Sequence, residues 1–441
     1  MVEYTDPNPF KEFHIGHLMS NAIGESVARL FEASGARVVR ANYQGDVGPH
    51  VAKCLFVLLE KKIESPTLED ISQAYVEGAK RYEENAKDKT AIDVLNKTIY
   101  ERTDERVNAV YEKGRFTSLK HFEELYRMLG TQFDEYFFES ETAPPGLAVV
   151  AAHPKIFEKS DGAVVFHAEK YNPKLHTRVF VTSQGLPTYE TKELGLVEMK
   201  LERHAFDRSV TITATEQSGY FAVLLEAIAQ VWPKLRGRFE HISHGMMRFS
   251  SGKMSSRRGN VVTGESLLID LADAAHKKMK GRDLADAGKV ARQVAVGAVK
   301  YAVLRQGSGK DIVFDEEKSL SLEGDSGPYV QYARTRAGSL LREATKADIE
   351  ASITDAPKEA SALERTLVHY PEVVARAVAE LEPHYVATYL TELASAFNSW
   401  YSNGRVIGGT HPHYGTLLAQ ATERTLRAGL GVLGIPVPEE M

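Results

Sequence analysis

The spacing of apolar residues changes twice near the N-terminus of the chain. Residues 2–4 predict the end of a buried strand, and residues 17–34 predict a helix because their apolar side chains recur three or four positions apart. Gly35 follows, as glycine commonly does where a helix ends. Residues 37–43 then predict a second strand. A strand, a helix and a strand in such close succession predict a βαβ unit and hence a parallel sheet.

The remaining pattern divides the chain into two predicted domains. After a helical, highly charged segment at about 52–137, the pattern predicts strands at 163–166, 177–181 and 210–213 and helices at 188–203 and 221–230. From about residue 266 the pattern is helical to the end. We therefore predict an α/β domain over residues 1–265, with 52–137 as a helical insertion, followed by an all-helical domain over 266–441.

The composition is that of a soluble globular protein, with 43% hydrophobic and 26% charged residues in a chain of 441. No run of about 18 apolar residues indicates a transmembrane helix, and the acidic N-terminus is unlike a signal peptide. Cys54 is the only cysteine, which excludes an internal disulfide and fits a reducing cytoplasm. The net charge of -6 gives no sign of RNA binding, although a local basic groove is compatible with an acidic total.

Two short motifs carry residues suited to binding a nucleotide. The sequence His14-Ile15-Gly16-His17 opens the first predicted helix, whose N-terminus offers free N–H groups and a partial positive charge to a phosphate. Residues 253–260, KMSSRRGN, are rich in cations, serine and glycine, which suits the pyrophosphate leaving group of ATP. Taken singly, the first motif is more often a helix cap with incidental histidines, and the second a solvated basic loop.

The two motifs, in this order and at opposite ends of one α/β domain, resemble the paired signatures of the class I aminoacyl-tRNA synthetases. Further segments resemble the arginine-specific members of that class, namely residues 6–11, 45–48, 133–134, 139–140, 186–189, 327–333 and 429–435. The resemblance covers nearly the whole chain. It implies a Rossmann-like catalytic domain with a helical insertion, followed by an all-α anticodon-binding bundle. It also implies ATP-dependent ligation of L-arginine to tRNA(Arg) through an arginyl-adenylate.

The resemblance assigns catalytic roles to Lys11, His14, His17 and Lys253. It assigns ATP contacts to His14, Gly16, His17, Met254, Ser255, Ser256 and Arg257. One position departs from the class signature, because Ser256 stands where a second lysine is usual. Lys11, just before the histidine motif, fills the place of the lysine thought to compensate in arginine-specific members.

The same resemblance implies a pocket for arginine, whose planar guanidinium group requires carboxylates placed for paired hydrogen bonds. The residues assigned to this pocket are Asn8, Glu139, Tyr189, Glu193 and Gln217. Tyr189 and Glu193 are one helical turn apart, so both can face one pocket. Position 193 is more often aspartate in the family, which leaves the geometry there open. Without the family, Glu193 could be an exposed helix charge, Gln217 a surface amide and Tyr189 a core residue.

The helical half resembles the anticodon-binding bundle of the same family and carries aromatic residues close to arginines. The candidate tRNA contacts are Tyr329, Tyr332, Arg336 and Trp400, with Arg334, Tyr401 and Arg405 nearby. Single-stranded RNA is bound by base stacking and base-edge hydrogen bonds more than by net charge. The alternative for each aromatic residue is core packing, which is the commoner role at helical spacing.

The resemblance also implies the substrates and the setting of the reaction. We expect ATP as its Mg²⁺ complex, no metal ion bound by the protein itself, and tRNA(Arg) and L-arginine as the other partners. We expect a cytoplasmic monomer without membrane attachment. Family members usually carry an additional N-terminal domain, whereas this sequence begins within the first catalytic strand. Without that domain we expect weaker binding of tRNA.

Two other classes of function are compatible with the motifs. One is a paralogue that ligates arginine or a related amino acid to another acceptor, which the intact helical half disfavours. The other is a catalytically silent RNA-binding protein of the same fold, which the complete histidine motif and the acidic pocket disfavour. A cysteine-specific class I enzyme is disfavoured as well, because one cysteine cannot build its zinc pocket.

Overall fold

The structure is a computed structural model that describes residues 1–250, 262–281 and 283–441. It contains two compact units, each assembled from several stretches of the sequence. The first unit consists of Met1–His17, Val39–Arg127 and Gln132–Ser243. The second unit consists of Leu18–Val38, Met128–Thr131 and His244–Met441.

The described residues form ten β-strands and sixteen α-helices. The strands are β1 (Val2–Glu3), β2 (Arg40–Gln44), β3 (Glu135–Phe138), β4 (Phe157–Ser160), β5 (Ala163–Phe166), β6 (Arg178–Val181), β7 (Ser209–Ala214), β8 (Phe239–His244), β9 (Met247–Phe249) and β10 (Ile312–Phe314). The helices are α1 (Ile15–Ala33), α2 (Pro49–Glu60), α3 (Leu68–Glu84), α4 (Ala86–Glu101), α5 (Glu105–Leu129), α6 (Glu139–Ala152), α7 (Tyr189–Arg203), α8 (Ser218–Val231), α9 (Gly264–Lys278), α10 (Ala287–Leu304), α11 (Glu316–Ser319), α12 (Gly327–Lys346), α13 (Ala362–Leu367), α14 (Tyr370–Glu380), α15 (His384–Ser402) and α16 (Pro412–Val432).

A five-stranded sheet in the order β3-β2-β1-β7-β8 is the main sheet of the first unit. Strand β1 pairs in parallel with β2 and β7, and β2 pairs in parallel with β3, so the predicted parallel sheet is confirmed. The carboxyl ends of these four strands therefore meet at one edge, which is where open α/β sheets bind ligands. The segments that follow the four strands at this edge contain Asn8, Gly45, Glu139 and Gln217.

Several predicted elements are confirmed close to their predicted bounds. The helices predicted at 17–34, 188–203 and 221–230 are α1, α7 and α8, and the strand predicted at 210–213 is β7. Gly35 has a φ of 90°, the left-handed conformation that glycine adopts most easily at the end of a helix. Apolar spacing and end signals were therefore sufficient to locate these elements.

Two predictions for the first unit need correction. The helical insertion begins at Pro49 and its last helix ends at Leu129. Residues 135–137, predicted as its end, belong instead to β3, which pairs with β2. The strands predicted at 163–166 and 177–181 are present, but they pair antiparallel with each other in a separate sheet with β4. A short strand beside a long run of helices gives too few alternations to establish its period, and sequence spacing does not reveal its partner.

The sequence predicted that the chain is helical from about residue 266 to its end, and this prediction is wrong at one strand. Strand β10 pairs in parallel with β9, with Ile312 opposite Met247 and Phe314 opposite Phe249. Ile312 and Phe314 are buried while Val313 between them is exposed, which is the alternation of a strand. Three residues are too short a run to show this period among helices.

Helices α6 and α7 approach each other closely through two glycines. A Cβ atom on Gly146 would lie 1.9 Å from the carbonyl oxygen of Thr191, and one on Gly195 would lie 2.0 Å from the carbonyl oxygen of Thr142. Because glycine lacks this atom, the two helix backbones can touch. The contact fixes the first turns of the two helices relative to each other.

Two cations connect three segments of the second unit, namely α1, residues 128–131 and the end of α16. The bonds run from Lys300 Nζ to Leu129 O (2.7 Å) and Gly434 O (2.9 Å), and from Arg29 to Gly431 O (3.0 Å) and Gly130 O (3.2 Å). Carbonyl groups at the end of a helix lack partners within it, so these side chains satisfy them. Lys300 itself is completely buried on α10.

The glycine contact between α6 and α7 predicts a measurable loss of stability in Gly195→Ala. The added methyl group overlaps the Thr142 carbonyl, so we expect the free energy of unfolding in urea to fall by about 1–3 kcal/mol. Gly431→Ala on α16 is the matched control, because nothing lies within 4 Å of the added atom. There alanine should raise the free energy of unfolding by about 0.5–1 kcal/mol. Equal losses in both variants would contradict the close contact.

Candidate active site

The segment between β1 and α1 has an unusual backbone that presents several candidate residues. Thr5, Asp6 and Phe10 all have positive φ values, 79°, 44° and 67°. Such conformations cost about 1–3 kcal/mol each and persist only where the surroundings hold them. Phe10 is held in this way, because its N–H donates to Ser118 Oγ at 3.1 Å and its ring fills the space beside Gly114. Helix α5 therefore fixes the segment that carries Asn8 and Lys11.

The two histidines of the first motif form a stacked pair where α1 begins. Their ring centroids are 3.5 Å apart with an angle of 22° between the planes. The N–H of His14 donates to Nδ1 of His17 at 3.2 Å, so Nε2 of a neutral His17 carries the proton. Gly16 lies against this pair, because a Cβ on it would be 3.0 Å from the His14 ring. The arrangement sets a histidine N–H donor at a helix N-terminus, as a phosphate site requires.

Three side chains converge on Gly45, directly after β2. A Cβ atom there would lie 2.2 Å from Asn8 Oδ1 and 3.1 Å from Glu139 Oε1, so only glycine allows both to approach. His50 Nε2 donates to the Gly45 carbonyl at 2.8 Å. Burial, with Lys11 nearby, lowers the pKa of His50 to about 3, so this histidine is neutral. The structure therefore brings together two of the residues assigned to the arginine pocket.

Asp46 is a buried anchor that sequence reasoning did not single out, although it lies in a segment that carried the resemblance. It accepts hydrogen bonds from Tyr111 Oη (3.0 Å), Arg115 Nε (3.0 Å), Ser140 N (2.9 Å) and Ser140 Oγ (2.8 Å). These bonds join the turn after β2 to α5 and to the first turn of α6. Asp46 therefore positions Glu139, the residue immediately before Ser140.

Glu139 forms a buried ion pair with Lys192, a residue that the sequence analysis missed. Lys192 Nζ lies 2.6 Å from Glu139 Oε2, and the two side chains are 6% and 10% exposed. Burial raises the pKa of Glu139 despite this cation. Burial opposes the charge of Lys192, but Glu139 outweighs it and raises the pKa of the lysine. The one sequence feature that could have pointed to Lys192 is its position, because it immediately precedes the pocket candidate Glu193 on α7.

Glu193 lies among further acidic groups. Burial, followed by the charge of Glu3, raises the pKa of Glu193 to about 8, although part of its side chain is accessible. Burial and the charge of Glu3 also raise the pKa of Asp6 well above its usual range, even though Asp6 accepts a hydrogen bond from the Tyr43 N–H. Glu3 itself pairs with buried Lys200 at 2.5 Å. The alternative that Glu193 is an exposed, solvated charge on a helix is therefore wrong.

The remaining two pocket candidates, Tyr189 and Gln217, lie at the surface. Tyr189, at the start of α7, is 61% exposed, so it is not a core residue. Its ring centroid is 5.1 Å from Lys192 Nζ. Gln217 is exposed in the short 3₁₀ helix that follows β7. Because β7 is parallel to its neighbour β1, Gln217 follows the same sheet edge as Asn8.

Among the candidate tRNA contacts, Arg336 has a ready stacking geometry. Its guanidinium carbon lies 4.8 Å from the Tyr332 ring centroid and 5.4 Å from that of Tyr401. It also donates to Asn398 Oδ1 at 2.9 Å. Arg336 and Tyr332 remain partly exposed, so the group is not sealed in a core.

The other RNA candidates differ in their surroundings. Trp400 helps to line a cavity of about 830 Å³ together with residues of α13 and α16. Tyr329 is half-buried in the first turn of α12, where its N–H donates to Ser326 Oγ. Arg334 has a structural role instead: it is buried and pairs with Glu423 at 2.7 Å and with Glu439 at 3.0 Å.

Some expectations fall outside what the structure describes. Lys253, Met254, Ser255, Ser256 and Arg257 lie outside the described residues. Within residues 1–250, 262–281 and 283–441 there is no cluster of three or more histidine, cysteine or acidic side chains that could hold a metal ion. Nor does any helix in these ranges have the length and apolar character needed to cross a membrane.

The chain matches known families and proteins over its entire length. Residues 1–316 match the model of the tRNA synthetases class I (R), catalytic domain, and residues 330–441 match the DALR anticodon binding domain. The arginine–tRNA ligases of Clostridium perfringens and Limosilactobacillus reuteri are 30% and 31% identical to it, with all of this chain and 80% of each relative aligned. The arginyl-tRNA synthetase of Thermus thermophilus has a TM-score of 0.84 at 26% identity, covering all of this chain and 82% of that one. The chain therefore belongs to the arginine–tRNA ligases of class I.

Proposed function

We propose that the chain ligates L-arginine to tRNA(Arg) in an ATP-dependent reaction, through an arginyl-adenylate, with release of AMP and diphosphate. The observation that carries this proposal is the cluster of buried carboxyl groups at the carboxyl edge of a parallel sheet whose first strand is followed by the histidine pair. The direct test is ATP–pyrophosphate exchange with each amino acid, with and without total tRNA. We expect that arginine is the one amino acid that supports exchange, and that exchange requires tRNA. Exchange with another amino acid, or failure of every amino acid to support exchange, would contradict the proposal.

For the amino-acid pocket, we propose that Glu139 and Glu193 accept hydrogen bonds from the guanidinium group. Two carboxyl groups approaching from α6 and α7 suit its planar set of five donors. Asn8 and Gln217 would hold the α-amino and carboxylate groups, since both follow strands at the same sheet edge. Tyr189, exposed at the start of α7, would lie against the substrate.

For the nucleotide, we propose that His14, Gly16 and His17 contact ATP and that Lys11 and Lys253 balance the charge of its phosphates. The remaining contacts would come from Met254, Ser255, Ser256 and Arg257. An oxygen of the arginine carboxylate attacks the α-phosphorus, and the bond to the pyrophosphate oxygen breaks. A ribose hydroxyl of the terminal tRNA nucleotide then attacks the arginyl carbonyl and displaces AMP. Donors placed where charge develops stabilise the transition state. We propose that ATP enters as its Mg²⁺ complex.

We propose that residues 1–265 form the catalytic domain, with the insertion at about 52–137, and that residues 266–441 bind the anticodon region of tRNA. Tyr332 and Arg336 offer stacking surfaces for unpaired bases, and Tyr329 and Trp400 are the other proposed contacts. We further propose that the protein works as a monomer in the cytoplasm, where its tRNA substrate is used.

The proposed guanidinium contact predicts a selective defect in Glu193→Gln. Loss of the carboxylate should raise the KM for arginine by about 10-fold to 100-fold, because a charged donor is left poorly paired, while the KM for ATP should change little. Glu193→Asp keeps the charge and should be tolerated. Steady-state pyrophosphate exchange measures both constants, and equal effects on arginine and ATP would argue against the assignment.

The proposed phosphate contacts predict a different pattern for His17→Ala and Lys11→Ala, and the same pattern for Lys253→Ala. Each should lower kcat for adenylate formation far more than it weakens arginine binding, because the phosphate oxygens gain charge only on the way to the transition state. Single-turnover measurement of adenylate formation separates the two effects. Unchanged single-turnover rates in all three variants would exclude these roles.

The raised pKa of Glu193 predicts a pH dependence of both arginine binding and stability. Arginine should favour the ionised carboxylate, so its KM should fall by about fivefold to tenfold as the pH rises from 7 to 8.5, through the pKa of about 8. In the protein without arginine, the raised pKa means that folding favours protonated Glu193. The resulting gain in the free energy of unfolding is complete below the pKa that Glu193 has in the unfolded chain, and it is lost as the pH rises through about 8. Both dependences should weaken in Glu193→Gln. A KM that is flat with pH in the natural chain would refute the link.

A further inference from the structure

The ammonium group of Lys192 occupies a site that would suit a free amine. Its Nζ is 2.6 Å from Glu139 Oε2, and it lies 5.1 Å and 5.5 Å from the ring centroids of Tyr189 and Tyr100. A carboxylate combined with aromatic faces is how proteins bind ammonium ligands. The lysine side chain is 6% exposed, so this internal cation is built into the site and does not extend into solvent.

The second oxygen of Glu139 is directed elsewhere. Its Oε1 lies close to the backbone at Gly45, on the side where Asn8 Oδ1 also approaches. One edge of the carboxylate is therefore taken by Lys192, and the other faces the segment after β1. Glu193, the next residue along α7 from Lys192, supplies a second carboxyl group to the same cluster, because the charge of Glu139 contributes to its raised pKa.

This arrangement discriminates between two kinds of cationic substrate. A guanidinium group spreads its charge over a planar fork of five donors, so it can bond to Glu193 and to the remaining oxygen of Glu139. An ammonium group is a compact point charge that needs a close carboxylate of its own. The position best suited to it is already filled by a like charge, and like charges placed together strongly disfavour binding.

We propose that Lys192 is a specificity-determining residue that excludes amino acids ending in an ammonium group, such as lysine and ornithine, in favour of those ending in a guanidinium group. The inference rests on the proposed function, because it assigns the Glu139 and Glu193 cluster to the amino-acid side chain. The charge of Lys192 repels a substrate ammonium group from the position opposite Glu139, which the ammonium group of Lys192 already occupies. Its removal should therefore create activity toward a substrate that the natural chain rejects.

The test is Lys192→Met in ATP–pyrophosphate exchange with saturating tRNA, using arginine, lysine and ornithine as separate substrates. The ratio of kcat/KM for arginine to that for lysine should fall by about tenfold or more, because the variant leaves an empty ammonium site opposite Glu139. Lys192→Arg, which keeps the positive charge, should retain most of the natural ratio. An unchanged ratio in Lys192→Met, with both substrates losing equally, would show that Lys192 is only structural.

Lys200→Met is the matched control, since it also removes a buried lysine of α7 from an ion pair, the one with Glu3. It should lower stability while the ratio of arginine to lysine activity stays within about twofold of the natural value. If Lys192→Met does not fold, Lys192→Gln keeps a hydrogen-bond donor to Glu139 without the charge and carries the same prediction. The natural chain is assayed first: failure to activate arginine there would overturn the proposed function, whereas success with an unaltered ratio in the variants overturns only the role of Lys192.

Discussion

Negative charge held inside the protein at the carboxyl edge of the main sheet is the constraint on which the rest of the first unit depends. Removing an ion from water costs several kcal/mol even after the protein relaxes, so each buried carboxylate must be paired or protonated. Glu3 is paired with Lys200, Glu139 with Lys192 and Asp46 with Arg115. Asp6 and Glu193 have raised pKa values, which favour their protonated forms. A bound cation, such as the guanidinium group of the proposed substrate, would favour the ionised form of Glu193. Substrate binding is therefore coupled to the protonation of this buried carboxyl group.

The local geometry keeps these groups at fixed positions. The paired glycines of α6 and α7 bring the helices that carry Glu139 and Glu193 into backbone contact. Asp46 ties the turn after β2 to the first turn of α6 through four hydrogen bonds. The positive φ of Phe10, between β1 and α1, is sustained by its hydrogen bond to Ser118 and its burial against α5. Each feature limits the freedom of a residue that would contact substrate, and such preorganisation is how enzymes stabilise transition states.

The sequence predicted the parts of this architecture that have a long or periodic signal. The parallel sheet, helices α1, α7 and α8, and the helical insertion all followed from apolar spacing. Strands β3, β4, β8, β9 and β10 were not predicted. For β3 and β10 the reason is that three or four residues next to long helices give too few alternations to stand out. Family resemblance brought forward Glu139 and Glu193, whose positions in a buried acidic cluster were then visible only in the structure.

The residues that pair with these acids could not be predicted from the sequence. Lys192 and Lys200 look like ordinary helix cations until the fold places them opposite Glu139 and Glu3. Arg334 was a candidate RNA contact because nothing in the sequence around it indicates that it is buried against Glu423. Long-range pairing is decided by tertiary packing, and spacing along one chain does not encode it.

The central claim is that this acidic cluster recognises a guanidinium cation. Calorimetric titration of the protein with L-arginine and with L-citrulline, which has nearly the same shape but no charge, tests it most directly. The account predicts that arginine binds more tightly by about tenfold or more, since each hydrogen bond to a charged group contributes about 1.5–3 kcal/mol. Equal affinities for the two amino acids would contradict it.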